Sequence, residues 1–133
     1  MIAAVADTHT ALWYLYDDAR LSVAGGTFID HAAAAGNHIV VSSISLAEIV
    51  YLIEKNRIPT NAYPDLKTTL GDPNHVFKEA PFTVEIVDFM KHVPRVDVPD
   101  MPDRIVAATA VYFGVPVISR DGKIRASNVQ TTW

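Results

Sequence analysis

The stretch Ile-Ala-Ala-Val-Ala-Asp at residues 2–7 combines an uncharged apolar run with a carboxylate at its end. An apolar run of this length is typical of a strand that is buried on both faces of a parallel sheet. Similar short runs predict further strands at residues 38–42, 76–79, 115–119 and 129–133. Longer segments with helical spacing separate these runs, so the order of elements predicts an α/β domain with a parallel sheet.

The segments between the predicted strands carry the start and stop signals of helices. Ser22 is expected to cap a helix that ends at Gly36, and the two glycines at residues 25 and 26 inside it have no explanation in the sequence. A run with three prolines at residues 94–102 is expected to be a loop. The predicted helices cover residues 11–16, 22–35, 45–53, 64–70, 83–92, 103–113 and 123–126.

The composition indicates one folded domain that spans residues 1–133. With 50% hydrophobic and 20% charged residues, the chain has enough apolar surface to offset its conformational entropy. The absence of cysteine excludes disulfides, thiolate zinc sites, iron–sulfur clusters and cysteine nucleophiles. No apolar stretch approaches the roughly 20 residues of a membrane span, and the N-terminus does not match a signal peptide. A soluble, cytoplasmic protein without membrane contact is expected.

The net charge of -4 at first argues against a nucleic-acid partner, because such proteins usually carry basic patches. The charge is unevenly distributed along the chain. Residues 1–54 contain six acidic residues and one basic residue, and residues 55–133 contain nine acidic and ten basic residues. The meaning of the negative charge therefore depends on where the acidic residues of the first half lie in the fold.

Four carboxylates lie at equivalent positions in the predicted fold, either just after the end of a strand or in the first turn of a helix. Asp7 follows the first strand, Glu48 lies in the first turn of the helix after the second strand, Asp103 opens the helix after the proline-rich loop, and Asp121 follows the strand at residues 115–119. The carboxyl ends of parallel strands share one edge of a sheet, where ligands bind. Clustered carboxylates suit Mg²⁺ or Mn²⁺, which can activate water to attack a phosphodiester.

Helix capping offers another explanation for most of these acidic residues. Ser45 and Glu48 match a capping box, Asp100 is placed to cap the helix that follows it, and Asp121 is placed to form a turn. Capping is not expected to explain Asp7 at the end of a strand. The joint arrangement of the acidic residues therefore favours a site over four separate structural roles.

Four sequence fragments together resemble those of PIN-domain ribonucleases. The fragments are residues 6–9 (Ala-Asp-Thr-His), 43–49 around the second acidic residue, 102–110 (beginning Pro-Asp-Arg) and 117–121 (Val-Ile-Ser-Arg-Asp). In this order, and over nearly the whole chain, they are similar to the toxin component of bacterial VapBC toxin–antitoxin pairs.

The resemblance implies a three-layer α/β/α fold with a central parallel sheet and a metal-dependent endoribonuclease activity on RNA. It assigns Asp7, Glu48, Asp103 and Asp121 to a catalytic site that binds Mg²⁺ or Mn²⁺, with Asp100 as the next candidate ligand. It further implies a cognate antitoxin protein that blocks the site, and a homodimer.

Several other residues near these acids are candidates for supporting roles. Thr8 and Ser119 are placed to hydrogen-bond a carboxylate or a metal-bound water. Trp13 is expected in the core or at a partner surface, and His9 is not expected to be a metal ligand. The candidate RNA-contacting residues are Arg104, Arg120, Lys123 and Arg125. For Arg104, pairing with a neighbouring carboxylate of the protein is the favoured alternative.

Other functions fit the sequence less well. A haloacid-dehalogenase-type phosphatase needs a second aspartate two residues after the first, where this chain has His9. A nucleotide-binding domain needs a glycine-rich loop after the first strand, which is absent. The remaining alternative is a non-catalytic PIN-like interaction module, which sequence alone does not separate from an active nuclease.

Overall fold

The computed structural model describes all residues from Met1 to Trp133 as five strands and seven helices. In chain order the elements are β1 (Ile2–Ala6), α1 (Thr8–Leu15), α2 (Val23–Ala34), β2 (His38–Ser42), α3 (Ser43–Glu54), α4 (Ala62–Leu70), β3 (Phe77–Ala80), α5 (Val84–Phe89), α6 (Met101–Phe113), β4 (Val117–Ile118), α7 (Gly122–Ala126) and β5 (Thr131–Thr132). A 3₁₀ turn at Met90–His92 follows α5. No helix is both long enough and apolar enough to cross a membrane.

The five strands form one parallel sheet in the order β3-β2-β1-β4-β5. Strand β1 lies at its centre, where Val5 pairs with Val40 of β2 on one side and with Val117 of β4 on the other. The chain first builds the sheet outward from β1 through β2 and β3, and then returns to add β4 and β5 on the opposite side. The strand order therefore reverses at β1, and the carboxyl end of such a strand is where α/β proteins bind ligands.

Two hydrophobic clusters cover the two faces of the sheet and produce three layers. One cluster joins Ala6 and Phe77 to helices α1–α4 through residues such as Ile29 and Leu66. The other joins alternate strand residues to helices α5–α7. Both faces of the sheet are covered, so its strands do not alternate between polar and apolar residues. They appear in the sequence as continuous apolar runs. The predicted α/β/α fold with a parallel sheet is confirmed.

Helices α1 and α3 begin earlier than the sequence predicted. Helix α1 begins at Thr8 instead of residue 11, because the Asp7 side chain accepts a hydrogen bond from the backbone N–H of Thr10 at 2.8 Å and so caps the helix. Helix α3 begins directly after β2, because Ser42 caps it in the same way. The predictions of a helix start at Ser45 and of no capping role for Asp7 are both wrong.

Helix α6 also begins earlier than predicted, at Met101, inside the proline-rich segment. Asp100 caps it by accepting a hydrogen bond from the N–H of Asp103 at 3.1 Å. Pro102 is tolerated because the first turn of a helix has no intrahelical partner for its N–H groups. The helix ends at Gly114, which has a φ of +67° and confirms the predicted stop.

The boundaries of the outer strands differ from the predicted ones. Strand β3 is displaced by one residue along the chain, and β4 and β5 are only two residues long. Strand β4 pairs over two residues with β1 on one side and over the same two residues with β5 on the other.

The two glycines of α2 have different structural roles. A Cβ atom on Gly25 would lie 3.1 Å from Ser22 Oγ, 3.2 Å from Leu21 Cδ1 and 3.4 Å from Ile118 Cγ2, so a side chain there would crowd the start of α2 as well as the sheet. A Cβ atom on Gly26 would have only ordinary contact, with Leu21 Cδ2 at 3.6 Å. The close approach explains the first glycine and leaves the second without a packing reason.

We expect Gly26→Ala to raise the free energy of unfolding by about 0.5–1 kcal/mol, because alanine loses less backbone entropy in a helix. The matched variant Gly25→Ala gains the same entropy but crowds Leu21 and Ile118, so it should be about 1 kcal/mol less stable than Gly26→Ala. Urea unfolding followed by circular dichroism measures both values. Equal stabilities of the two variants would contradict the close approach at Gly25.

Candidate active site

A cavity of about 300 Å³ lies at the carboxyl-terminal edge of the sheet, beside the end of β1. All four acidic residues that the sequence placed at this edge line it: Asp7, Glu48, Asp103 and Asp121. Its other lining residues are Thr8, His9, Trp13, Arg20 and Arg120. The structure thus brings together residues from four separate segments, as the topological argument predicted.

Asp7 is held on both of its carboxylate oxygens. Oδ1 accepts the hydrogen bond from Thr10 N–H that caps α1, and Oδ2 accepts a hydrogen bond from the hydroxyl of Ser119. The Ser119 oxygen in turn accepts a hydrogen bond from the backbone N–H of Asp121 at 3.0 Å. Ser119 is fully buried, so it fixes the ends of β1 and β4 relative to each other. The sequence-based expectation that Ser119 contacts a carboxylate agrees with this geometry.

Glu48 lies in the second turn of α3 and does not cap the helix. Its Oε1 accepts a hydrogen bond from the Thr8 hydroxyl at 2.5 Å, and Thr8 Oγ1 lies 2.9 Å from Ser45 Oγ. The capping-box explanation for Ser45 and Glu48 is therefore wrong. Ser45 is buried and supports the Thr8–Glu48 contact, a role that sequence reasoning missed although its spacing of three residues from Glu48 puts both on one helix face.

Two further acidic residues have capping roles. Asp121 Oδ1 accepts hydrogen bonds from the N–H groups of Lys123 at 3.0 Å and Ile124 at 2.9 Å, at the start of α7. Asp100 caps α6, is exposed, and does not line the cavity. Capping thus explains part of the placement of Asp7, Asp100 and Asp121, but a cap leaves carboxylate oxygen lone pairs free to bind other groups.

Asp103 is the one acidic residue of the cavity whose carboxylate has no hydrogen-bond partner in the structure. Burial raises the pKa of its carboxyl group to about 7, and repulsion from four neighbouring carboxylates adds to this shift. These neighbours are Asp100, Asp121, Glu48 and Asp7. An unpaired, half-buried carboxylate among like charges is unfavourable by itself, and perturbed pKa values of this kind cluster at functional sites.

The donor set of the cavity fits a cation that prefers oxygen ligands. Four carboxylates and the hydroxyl of Thr8 line the cavity. The one ion pair of the chain joins Arg20 to Asp18, so none of the four carboxylates is paired with a basic side chain. Such a set suits Mg²⁺ or Mn²⁺ in chemical type. The side chains do not, however, form a group of three or more ligands close enough to hold a metal ion, since Asp7 and Glu48 are turned toward Ser119 and Thr8.

The predicted RNA-contacting residues lie in different places. Arg120 lines the cavity, whereas the Arg104 guanidinium donates hydrogen bonds to the carbonyl oxygens of Val93 at 2.7 Å and Met90 at 2.9 Å. These carbonyls, and not a carboxylate, supply the compensating partner that was expected for Arg104. The remaining two are exposed on α7 and do not line the cavity: Lys123 and Arg125.

Comparison with known proteins places this arrangement in a family. The sequence profile of the PIN domain matches residues 4–128, which is nearly the whole chain. The chain belongs to the PIN-domain family. This PIN domain is 29% identical over 126 residues to Ribonuclease VapC22 from Mycobacterium tuberculosis (strain ATCC 25618 / H37Rv), covering 95% of this chain and 92% of that protein.

Solved structures share the fold of this PIN domain. A chain in the crystal structure of VapBC2 from Rickettsia felis bound to a DNA fragment from their promoter gives a TM-score of 0.69 at 16% identity, covering 98% of this chain and 97% of that chain. A toxin–antitoxin complex from Klebsiella pneumoniae gives 0.61 at 18% identity over 93% and 91% of the two chains. FitAcB from Neisseria gonorrhoeae gives 0.61 at 19% identity over 98% and 96%.

Proposed function

We propose that this PIN domain is a divalent-metal-dependent endoribonuclease and the toxin component of a toxin–antitoxin pair. The observation that carries this proposal is the unpaired Asp103 carboxylate in a cavity that three other carboxylates line. The similarity to Ribonuclease VapC22 supports RNA as the substrate.

In this proposal Asp7, Glu48, Asp103 and Asp121 hold Mg²⁺ or Mn²⁺, and Asp100 is a more distant candidate. A cation held by these residues would supply Lewis-acid activation of a phosphodiester and of a water molecule. The chain has no cysteine to act as a nucleophile, so hydrolysis by activated water fits the residues of the cavity best.

The residues around the carboxylates orient them for this role. Thr8 and the buried Ser45 hold Glu48, while Ser119 holds Asp7 and the backbone of Asp121. Partners of this kind fix the rotamers of metal ligands and affect metal affinity. Asp103 lacks such a partner, and its raised pKa of about 7 means that its carboxyl group is only partly deprotonated near neutral pH. A nearby cation favours the deprotonated form.

The proposed partners are an RNA substrate, a cognate antitoxin protein and a second copy of the chain. The antitoxin is supported by structural neighbours whose structures are VapBC2 and a toxin–antitoxin complex. The homodimer stays a prediction that rests on the family resemblance, and the cytoplasmic location stays a prediction that rests on the composition of the sequence.

We expect the purified protein to cleave RNA in millimolar Mg²⁺ or Mn²⁺, to stop when EDTA is added, and to recover when Mn²⁺ is restored in excess. Sequencing the 5′ ends produced from total bacterial RNA measures the cleavage and identifies the target. Cleavage that persists in EDTA would contradict the metal-dependent mechanism. No cleavage of any RNA in either metal would favour the non-catalytic interaction module.

A further inference from the structure

Two arginine side chains stack on the same indole at the rim of the cavity. The Arg120 guanidinium lies 4.7 Å from the centre of the Trp13 ring, and that of Arg20 lies 5.2 Å from it. The Trp13 side chain is only 6% exposed and packs against the rings of His9 at 5.6 Å and Trp133 at 5.9 Å. The indole is therefore a fixed surface at the edge of the cavity, and cations are attracted to its face.

The two guanidinium groups differ in what they bind. Arg20 is occupied by Asp18, with Nε 3.0 Å from Oδ1 and a terminal nitrogen 2.7 Å from Oδ2. Arg120 makes no hydrogen bond through its side chain and no ion pair, although it lines a cavity with four carboxylates. Its five N–H donors are consequently all free.

Resting on the proposed endoribonuclease function, we propose that Arg120 binds a phosphate of the RNA at the rim of the cavity and that Trp13 positions it there. A guanidinium group presents two parallel donors that match two phosphate oxygens. Among the basic residues that line the cavity, Arg120 is the one without a protein partner. It therefore supplies the positive charge that an RNA backbone needs next to a strongly negative site.

The other candidate cations are less suited to this role. Arg104 already donates to two backbone carbonyls, and both basic residues of α7 lie outside the cavity lining. The indole also distinguishes Arg120 from an ordinary flexible surface arginine, because stacking holds its guanidinium in place before RNA binds and reduces the entropy lost on binding.

Arg120→Gln should slow single-turnover cleavage of a short single-stranded RNA in Mn²⁺ by roughly 10- to 100-fold, since charge-assisted hydrogen bonds to a phosphate are lost. Arg95→Gln removes the same charge from an exposed position outside the cavity lining and should stay within about twofold of wild type. Arg120→Lys keeps the charge without the paired donors, so its rate should fall between those of wild type and Arg120→Gln. Equal rates for Arg120→Gln and Arg95→Gln would overturn the proposal.

A binding measurement separates this proposal from the proposed cleavage activity. The binding constant K of a labelled single-stranded RNA is measured by fluorescence anisotropy in an Asp7→Asn background over a range of salt concentrations. When Arg120 is replaced by Gln, the slope of log K against log salt should become shallower by about 0.7. An unchanged slope would mean that Arg120 contacts no phosphate and has another partner, such as an acidic protein. If wild type cleaves RNA and the slope is unchanged, only the role of Arg120 is overturned; if wild type cleaves no RNA, the proposed function itself fails.

The positioning role of Trp13 is tested by repeating the Arg120→Gln comparison in a Trp13→Leu background. If the indole positions the guanidinium, the loss caused by Arg120→Gln should shrink by about two- to fivefold when the indole is absent. A purely structural role of Trp13 would lower stability and leave that loss unchanged, which would overturn the positioning role. Trp13 is buried, so Trp13→Phe serves as a second variant that keeps an aromatic ring in the core if Trp13→Leu does not fold. Thermal unfolding checks that each protein is folded.

Discussion

Asp103→Asn is expected to lower the rate of metal-dependent RNA cleavage by at least about 100-fold, while the protein remains folded. The carboxylate of Asp103 has no structural partner, so its replacement removes no hydrogen bond of the fold. An amide of the same shape keeps the packing at the start of α6 but takes away the negative charge that a divalent cation needs. It also removes repulsion from the neighbouring acidic residues that raise the pKa of this group. A stable but inactive protein is therefore expected.

Asp88→Asn is the matched control for this experiment. Asp88 is an exposed residue of α5 outside the cavity lining, and its substitution changes the formal net charge by the same amount. Its cleavage rate should equal that of wild type. If Asp103→Asn cleaves RNA as fast as Asp88→Asn, the four-carboxylate site is not the catalytic site. Circular dichroism and thermal unfolding of all three proteins establish whether a loss of rate reflects unfolding.

Mn²⁺ is expected to raise the melting temperature of the protein, and to raise it more at pH 8 than at pH 6. A ligand that binds only the folded state adds about 2.7 kcal/mol when its free concentration is 100 times Kd. For a domain of this size that corresponds to roughly 10 °C. Thermal unfolding with and without millimolar Mn²⁺ measures the shift, and no shift at either pH would favour the non-catalytic interaction module.

The pH dependence follows from Asp103. Its carboxyl group has a pKa of about 7 in the folded protein, above its ordinary value of about 4 in an unfolded chain. The folded state therefore holds the extra proton between these values, and the metal-free protein loses stability as pH rises from about 4 to about 7. At pH 8 the carboxylate is charged and ready to bind a cation, whereas at pH 6 the proton competes with it.

Asp103→Asn tests the origin of this behaviour, because an amide does not titrate. In the absence of metal the variant should melt at a higher temperature than wild type at pH 8, where the charged carboxylate destabilises the fold. Its melting temperature should also change less between pH 6 and pH 8. A variant whose melting temperature keeps the wild-type pH dependence would assign that dependence to another group.

The central part of the fold could be predicted from the sequence because its strands are buried on both faces of the sheet. Strands β1 and β2 have the predicted limits, since both are covered on both faces and appear as uninterrupted apolar runs. The limits of β4 and β5 could not be predicted, because the number of residues that pair with a neighbouring strand is not visible in the apolar pattern. The starts of α1 and α3 were missed because each helix is capped at the end of the preceding strand, by Asp7 directly after β1 and by Ser42 as the last residue of β2.

Part of the candidate site could likewise be predicted from the sequence, and part of it could not. The edge of the sheet where the acidic residues meet follows from element order alone. The contacts of individual side chains do not, because they join residues far apart in the chain: Thr8 meets Ser45 and Glu48, and Asp7 meets Ser119. Arg20 was missed as a lining residue for the same reason, since nothing in its sequence surroundings signals that it faces the cavity.

The link between Asp7 and Ser119 also bears on the order in which the molecule is completed during synthesis. It ties the first strand of the sheet to a residue 112 positions later, and Asp121 follows two residues after that. A ribosome-bound chain that ends before β4 therefore lacks one wall of the cavity and leaves Asp7 without its hydroxyl partner. If the cavity cleaves RNA, a nascent chain has no complete active site while it is still being translated. A partner protein that is already present in the cell can then bind the chain as soon as its active site is complete.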